Sequence, residues 1–149
     1  MRINSHFKCK AILHFIFTLL KINVRKHIVI IEHDTDILEI MQRNLEKAGY
    51  VVTGFTAFSS IAELAFMRPD CFIINEWLPQ VSGHAICLML KAKVQTSTIP
   101  VILISSTHPS EPATSLSDAD ALVKKSGNCK YLLSVISSLI ANRQVSLSK

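Results

Sequence analysis

Glycine is scarce: only positions 49, 54, 83 and 127 carry it, and none sits in a GxGxxG pattern or in GxxxxGK followed by Ser or Thr. A cradle for nucleotide phosphates needs glycines so that backbone N–H groups can approach the oxygens, so a dinucleotide or nucleoside triphosphate site is not expected. HExxH, GxSxG and paired His or Cys at metal-ligand spacing are also missing, which removes the usual sequence signals of a zinc site or a serine hydrolase. The four cysteines, Cys9, Cys71, Cys87 and Cys129, are dispersed without a CxxC. That usage points to a reducing, cytoplasmic compartment in which thiols serve as small buried hydrophobes.

Long apolar runs are lacking too. The run from Ala11 to Leu20 is flanked by basic residues, but its ten residues fall short of the roughly 20 that a membrane span requires, and no small-x-small cleavage site follows it. Residues 1–26 hold six basic side chains and no acid, whereas the remainder holds ten Lys or Arg against eleven Asp or Glu. The net charge of +5 therefore belongs to the leader, and a nucleic-acid partner is not expected for the body of the chain.

What is present is the composition of one packed globular domain: 49% hydrophobic residues, 18% charged residues and a mean hydropathy of +0.34 over 149 residues. The expected division is a basic and apolar extension over 1–25, a single domain over 26–143 and a polar tail over 144–149. Within the domain, short apolar runs alternate with helical patterns. His27 to Ile31 reads as a strand buried on both faces, and Asp34-Thr35-Asp36 opens a helix that ends at Gly49. Further strands are expected at Tyr50 to Phe55, Cys71 to Ile74, Val101 to Ile104 and Ala121 to Val123, with helices between them and a last helix carrying Leu132, Val135, Ile136, Leu139 and Ile140. This alternation implies an α/β, doubly wound, five-stranded parallel sheet. Residues 106–120 are rich in Ser, Thr and Pro, so the helix between the fourth and fifth strands is expected to be short or missing.

In such a sheet ligands bind beyond the carboxyl ends of the strands, near the point where strand order reverses. The residues there are Glu32 and His33 after strand one, Asn75 and Glu76 after strand three, Ser105 after strand four and Lys124 after strand five. By strand alternation Glu76 is expected to aim away from the other site groups.

The order and spacing of several segments make residues 26–142 resemble the response regulator receiver family. They are Ile28 to Asp34 with Asp36-Ile37-Leu38, Lys47-Ala48-Gly49-Tyr50, Arg68-Pro69-Asp70, Leu78-Pro79 with Gly83, Ile99-Pro100-Val101 running to Ser105-Ser106, and Leu122-Val123-Lys124. The resemblance implies the flavodoxin-like receiver fold and a phosphorelay role without enzymatic turnover of its own. It also implies a site in which an aspartate after strand three accepts a phosphoryl group, an acidic pair after strand one holds Mg2+, and a Ser or Thr and a Lys bind the phosphoryl oxygens.

This chain departs from that pattern at linked positions. Asn75 occupies the phosphoacceptor position, and an amide cannot form a stable acyl phosphate. The acidic pair is Glu32 and His33, so Mg2+ binding is expected to be weak or absent, since imidazole is a poor ligand for a hard cation. Ser105 and Lys124 match the phosphate-binding positions, and their expected role is to hold the strand ends together, with Lys124 paired to Glu32. Ala121 replaces the usual aromatic reporter, Lys125 replaces the proline that commonly follows the lysine, and the loop from Ser105 to Lys124 looks shorter than the family norm by roughly three residues, about one helical turn.

Trp77, the only tryptophan, is either an exposed partner contact or a lid over its own loop. The expected function is a degenerate receiver acting as a phosphorylation-independent protein-interaction module without a cofactor, its partner a sensor histidine kinase or another signalling protein. The alternatives are a receiver phosphorylated at an unconventional residue, and a membrane-surface adaptor that uses residues 1–25.

Overall fold

The computed structural model describes residues 24–106, 118–125 and 129–148. Five strands, β1 (His27–Ile31), β2 (Val51–Phe55), β3 (Cys71–Asn75), β4 (Val101–Ser105) and β5 (Ala121–Lys124), form one sheet in the order β2-β1-β3-β4-β5 with every pairing parallel. The described helices are α1 (Thr35–Lys47), α2 (Ile61–Met67), α3 (Gly83–Ala92) and α4 (Cys129–Leu147). This is the doubly wound sheet expected from the alternation of patterns. The basic extension lies almost wholly outside the described residues, as does the segment in which the helix between β4 and β5 was expected to be short or missing.

Strand alternation divides the core in two. Ile28 and Ile30, Cys71 and Ile73, Ile102 and Ile104, and Val123 pack with Leu38 and Leu45 of α1 and with Leu132, Ile136 and Ile140 of α4. Val29 and Ile31, Phe72 and Ile74, and Val101 and Leu103 pack on the opposite face with Leu64 of α2 and with Ile86 and Leu90 of α3. With apolar side chains buried on both faces, β1, β3 and β4 have no polar side to turn to water, which is why their sequences read as unbroken apolar runs.

Polar side chains close the elements. Asp34 accepts from the N–H groups of Asp36 and Ile37 and so caps α1, while Ser60 and Ser82 cap α2 and α3. Gly49, at φ +95°, ends α1 in a backbone region that glycine enters without strain. At the opposite edge of the sheet two aspartates repeat one device. Asp70, just before β3, accepts from the His27 N–H at 2.8 Å and pairs with Lys26 at 3.1 Å. Asp120, just before β5, accepts from the Val101 N–H at 2.7 Å and pairs with Lys91 at 2.6 Å. Each satisfies the first N–H of a neighbouring strand.

Helix α4 continues through Leu147, past residue 143 where the sequence suggested a polar tail. Gln144-Val145-Ser146-Leu147 contains no glycine or proline to stop it, so the helix runs on although Val145 and Leu147 are exposed.

The loop from β3 to α3 turns back so tightly that the Gly83 N–H donates to the Glu76 carbonyl at 2.9 Å. A Cβ at Gly83 would lie 2.3 Å from the Asn75 carbonyl oxygen and 3.1 Å from the Glu76 Cα, both of them backbone atoms that cannot rotate away. Gly83→Ala is therefore expected to destabilise the fold by about 1–3 kcal/mol, the usual range for forced overpacking, measured as a lower denaturation midpoint with an unchanged m-value.

Candidate functional site

The strand parity that sorts the core also sorts the residues at the carboxyl ends. Glu32 continues the series Ile28, Ile30, and Asn75 continues Cys71, Ile73, so both emerge on the side of α1 and α4. Register pairs Ile31 with Ile74, which makes Glu32 and Asn75 neighbours. Glu76 and Ser105 continue the opposite series, Phe72, Ile74 and Val101, Leu103, and emerge on the side of α2 and α3.

Glu32 is fully buried. Its Oε1 accepts from Asn75 Nδ2 at 2.9 Å and from the Asp34 N–H at 3.0 Å, while Lys125 Nζ stands 2.6 Å from Oε2. Asn75 Nδ2 also lies 3.0 Å from His33 Nδ1, and the Trp77 N–H donates to Asn75 Oδ1 at 3.2 Å. The amide orientation follows from its surroundings: turned over, its oxygen would face the Glu32 carboxylate and its NH2 would face the Trp77 N–H. An amide hydrogen reaching His33 Nδ1 requires the ring proton to sit on Nε2. His33 Nδ1 also stands 3.3 Å from Glu32 Oε1.

A second cluster stands on the other side. Glu76, almost fully buried, accepts from His84 Nε2 at 2.9 Å and from the Ser105 hydroxyl, and its own N–H donates to the Ile104 carbonyl at 2.8 Å. Glu76 is thus turned from Glu32 and Asn75, as alternation requires, but it meets Ser105, a site residue from which it was expected to point away. Trp77 is tied to the first cluster by its backbone bond to Asn75, and the residue is 66% exposed.

Two residues of the site were not singled out as members of it. The cation that pairs with Glu32 is Lys125, where Lys124 was expected; Lys124 itself is exposed. The signal was present in the alternation Ala121, Val123, Lys125, which puts Lys125 on the face shared by Glu32 and Asn75. His84 had no comparable signal, since its approach to Glu76 depends on how the β3–α3 loop folds. A hollow of about 290 Å3 between α1 and α4 is lined in part by Ile37, Met41, Leu132 and both Lys124 and Lys125, but by none of Glu32, His33 or Asn75.

Burial by itself would raise the Glu76 carboxyl, but hydrogen bonds from Ser105, His84 and Trp77 together with the His84 ring outweigh it and hold the group below its ordinary value of 4.5. A carboxyl depressed in the folded state contributes stability that is fully present above pH 4.5 and is lost as pH falls through the lower folded value. The unfolding free energy of the native chain is therefore expected to decline more steeply below pH 4.5 than that of Glu76→Gln, read from denaturant midpoints across an acid series.

Comparison with known proteins agrees with this architecture. The chain is 28% identical over 115 residues to the sensory transduction protein BceR of Bacillus subtilis, a match covering 75% of this chain and 48% of that protein. It is 31% identical over 80 residues to the transcriptional regulator RpaA of Synechocystis, covering 53% of this chain and 33% of that protein. The chain thus spans about half the length, or less, of these relatives. Among solved structures, the signal receiver domain of a histidine kinase from Syntrophus aciditrophicus superposes with a TM-score of 0.69 at 28% identity, covering 78% of this chain and 91% of that one. The chemotaxis response regulator CheY4 of Vibrio cholerae superposes at 0.71 with 17% identity, covering 78% and 99%, a likeness of fold. A model of the response regulator receiver domain matches residues 28–136, and in keeping with the sheet order this chain belongs to that family of two-component signalling domains.

Proposed function

We propose that the chain is a receiver domain that signals by protein contact without being phosphorylated at the usual position. The observation that supports this most directly is the state of Asn75. Its amide donates to Glu32 and accepts from the Trp77 N–H, so the position where the family has an anionic nucleophile is filled by a neutral group engaged at both ends. A carboxamide oxygen has no formal negative charge with which to attack phosphorus, and its adduct would not persist.

What such a domain offers a partner is surface, and the exposed Trp77 indole is the candidate contact, held by a backbone bond to Asn75. A sensor histidine kinase or another signalling protein in the cytoplasm is the class of partner that this reading names. Among the described residues no helix is long and apolar enough to cross a membrane.

A second reading has one observation in its favour. Glu76 is a carboxylate hydrogen-bonded to Ser105, the residue at the phosphate-binding position, and it immediately follows Asn75. If a phosphoryl group were accepted at an unconventional residue, Glu76 is where it would go.

Incubation with acetyl phosphate and MgCl2, followed by intact-mass measurement, separates the two. The expected result is no stoichiometric phosphoryl adduct. A Mg2+-dependent adduct mapping to Glu76 would replace the first reading with the second. Asn75→Asp is expected to recover little phosphorylation, because His33 still leaves the site one carboxylate short.

A further inference from the structure

The family's acidic positions after β1 serve a divalent cation, and the residues here do not fit one. A hard cation such as Mg2+ takes oxygen ligands in near-octahedral array. Glu32 supplies the carboxylate, but its Oε1 is occupied by the Asn75 amide and the Asp34 N–H, and Lys125 Nζ lies against Oε2. Asn75 turns its nitrogen, not its oxygen, toward this spot, and the next acidic position is the imidazole of His33. Among the described residues no group of three or more His, Cys, Asp or Glu is placed to hold a metal ion.

We infer that the Lys125 ammonium, 2.6 Å from the fully buried Glu32 carboxylate, takes over the electrostatic role of the divalent cation, so that the site carries its positive charge as a side chain. Glu32 Oε2 is buried without a directed hydrogen bond among the described residues, so what offsets its charge there is the ammonium. The Lys125 side chain is itself only 15% exposed, so the pair is largely desolvated. Removing one partner of such a pair leaves an uncompensated charge in the interior.

The backbone explains why this lysine and not its neighbour does the work. The Lys125 N–H donates to the Ser105 carbonyl at 2.6 Å, extending the β4–β5 ladder one residue beyond β5. Alternation then puts Lys125 on the face of Val123 and Ala121, where Glu32 lies. The proline that commonly stands at this position in the family has neither the N–H that extends the ladder nor the ammonium that meets Glu32. One substitution therefore supplies both the placement and the charge.

This deepens the reading above, in which the site holds no phosphoryl group, and a charge cycle tests it. The full chain, Lys125→Met and the double variant Lys125→Met/Glu32→Gln are melted with and without MgCl2 or MnCl2. The native chain is expected to be indifferent to either cation. Lys125→Met should melt lower than the native chain, and any gain it draws from MnCl2 should exceed that of the native chain. The double variant should recover most of the lost stability and ignore MnCl2. If Lys125→Met does not fold, the double variant decides: cooperative unfolding supports the inference and failure to fold overturns it. A Lys125→Met as stable as the native chain overturns it, as does a double variant no more stable than Lys125→Met, or an equal gain from MnCl2 in the native chain and Lys125→Met. A phosphoryl adduct on the native chain would defeat the function proposed above and leave this cycle untouched, whereas a null cycle leaves the phosphodonor result standing.

Discussion

A carboxylate with no solvent access has to be answered by the groups around it, and Glu32 sets that demand at the end of β1. The Asn75 amide, the Asp34 N–H and the Lys125 ammonium are arranged to meet it, and each comes from a different part of the chain. Asp34 caps α1 while its own N–H turns back to Glu32, so the start of the helix and the neutralisation of the carboxylate are one structure. Asn75, drawn to Glu32 on one side, accepts the Trp77 N–H on the other and so shapes the loop that leaves β3. The tight return of that loop to Gly83 leaves room for nothing larger than hydrogen at the Asn75 carbonyl.

The strand ends form two polar clusters, because the period of a strand is two residues. Glu32, Asn75 and Lys125 stand over the α1 and α4 layer, and Glu76 and Ser105 over the α2 and α3 layer with His84. Asn75 and Glu76 are adjacent in sequence and belong to different clusters. Trp77 follows them directly, bonded through its backbone to Asn75 and lying close enough to Glu76 to help hold its carboxyl down. A contact made by its exposed indole would therefore be felt in both.

Most of the scaffold is held by residues away from these ends. Two apolar layers, four described helices and the paired aspartates at the opposite edge hold the sheet together through residues remote from Glu32. Burial of this extent tolerates substitutions at a rim of the fold, provided each buried charge keeps a partner. That separation lets the sheet and its two apolar layers stand largely apart from the polar groups at the strand ends.

The sheet, its parallel sense and the set of strand-end residues were legible in the sequence, since apolar runs buried on both faces and capped amphipathic helices are local patterns that carry their own period. Glu32, Asn75 and Ser105 could be placed at the strand ends because each directly follows or ends such a run. Whether Lys124 or Lys125 meets Glu32 was written less plainly: β5 is only four residues long, and its facing is set by pairing with β4 and by the extra bond from the Lys125 N–H to Ser105. The contact of His84 with Glu76 was not legible at all, because it spans a loop whose path depends on Gly83 packing against the Asn75 carbonyl. Sequence alone determined which residues arrive at the edge of the sheet, because periodicity is local. Tertiary structure decided which of them touch, because register and loop closure are long-range and a one-residue shift turns a side chain to the other face.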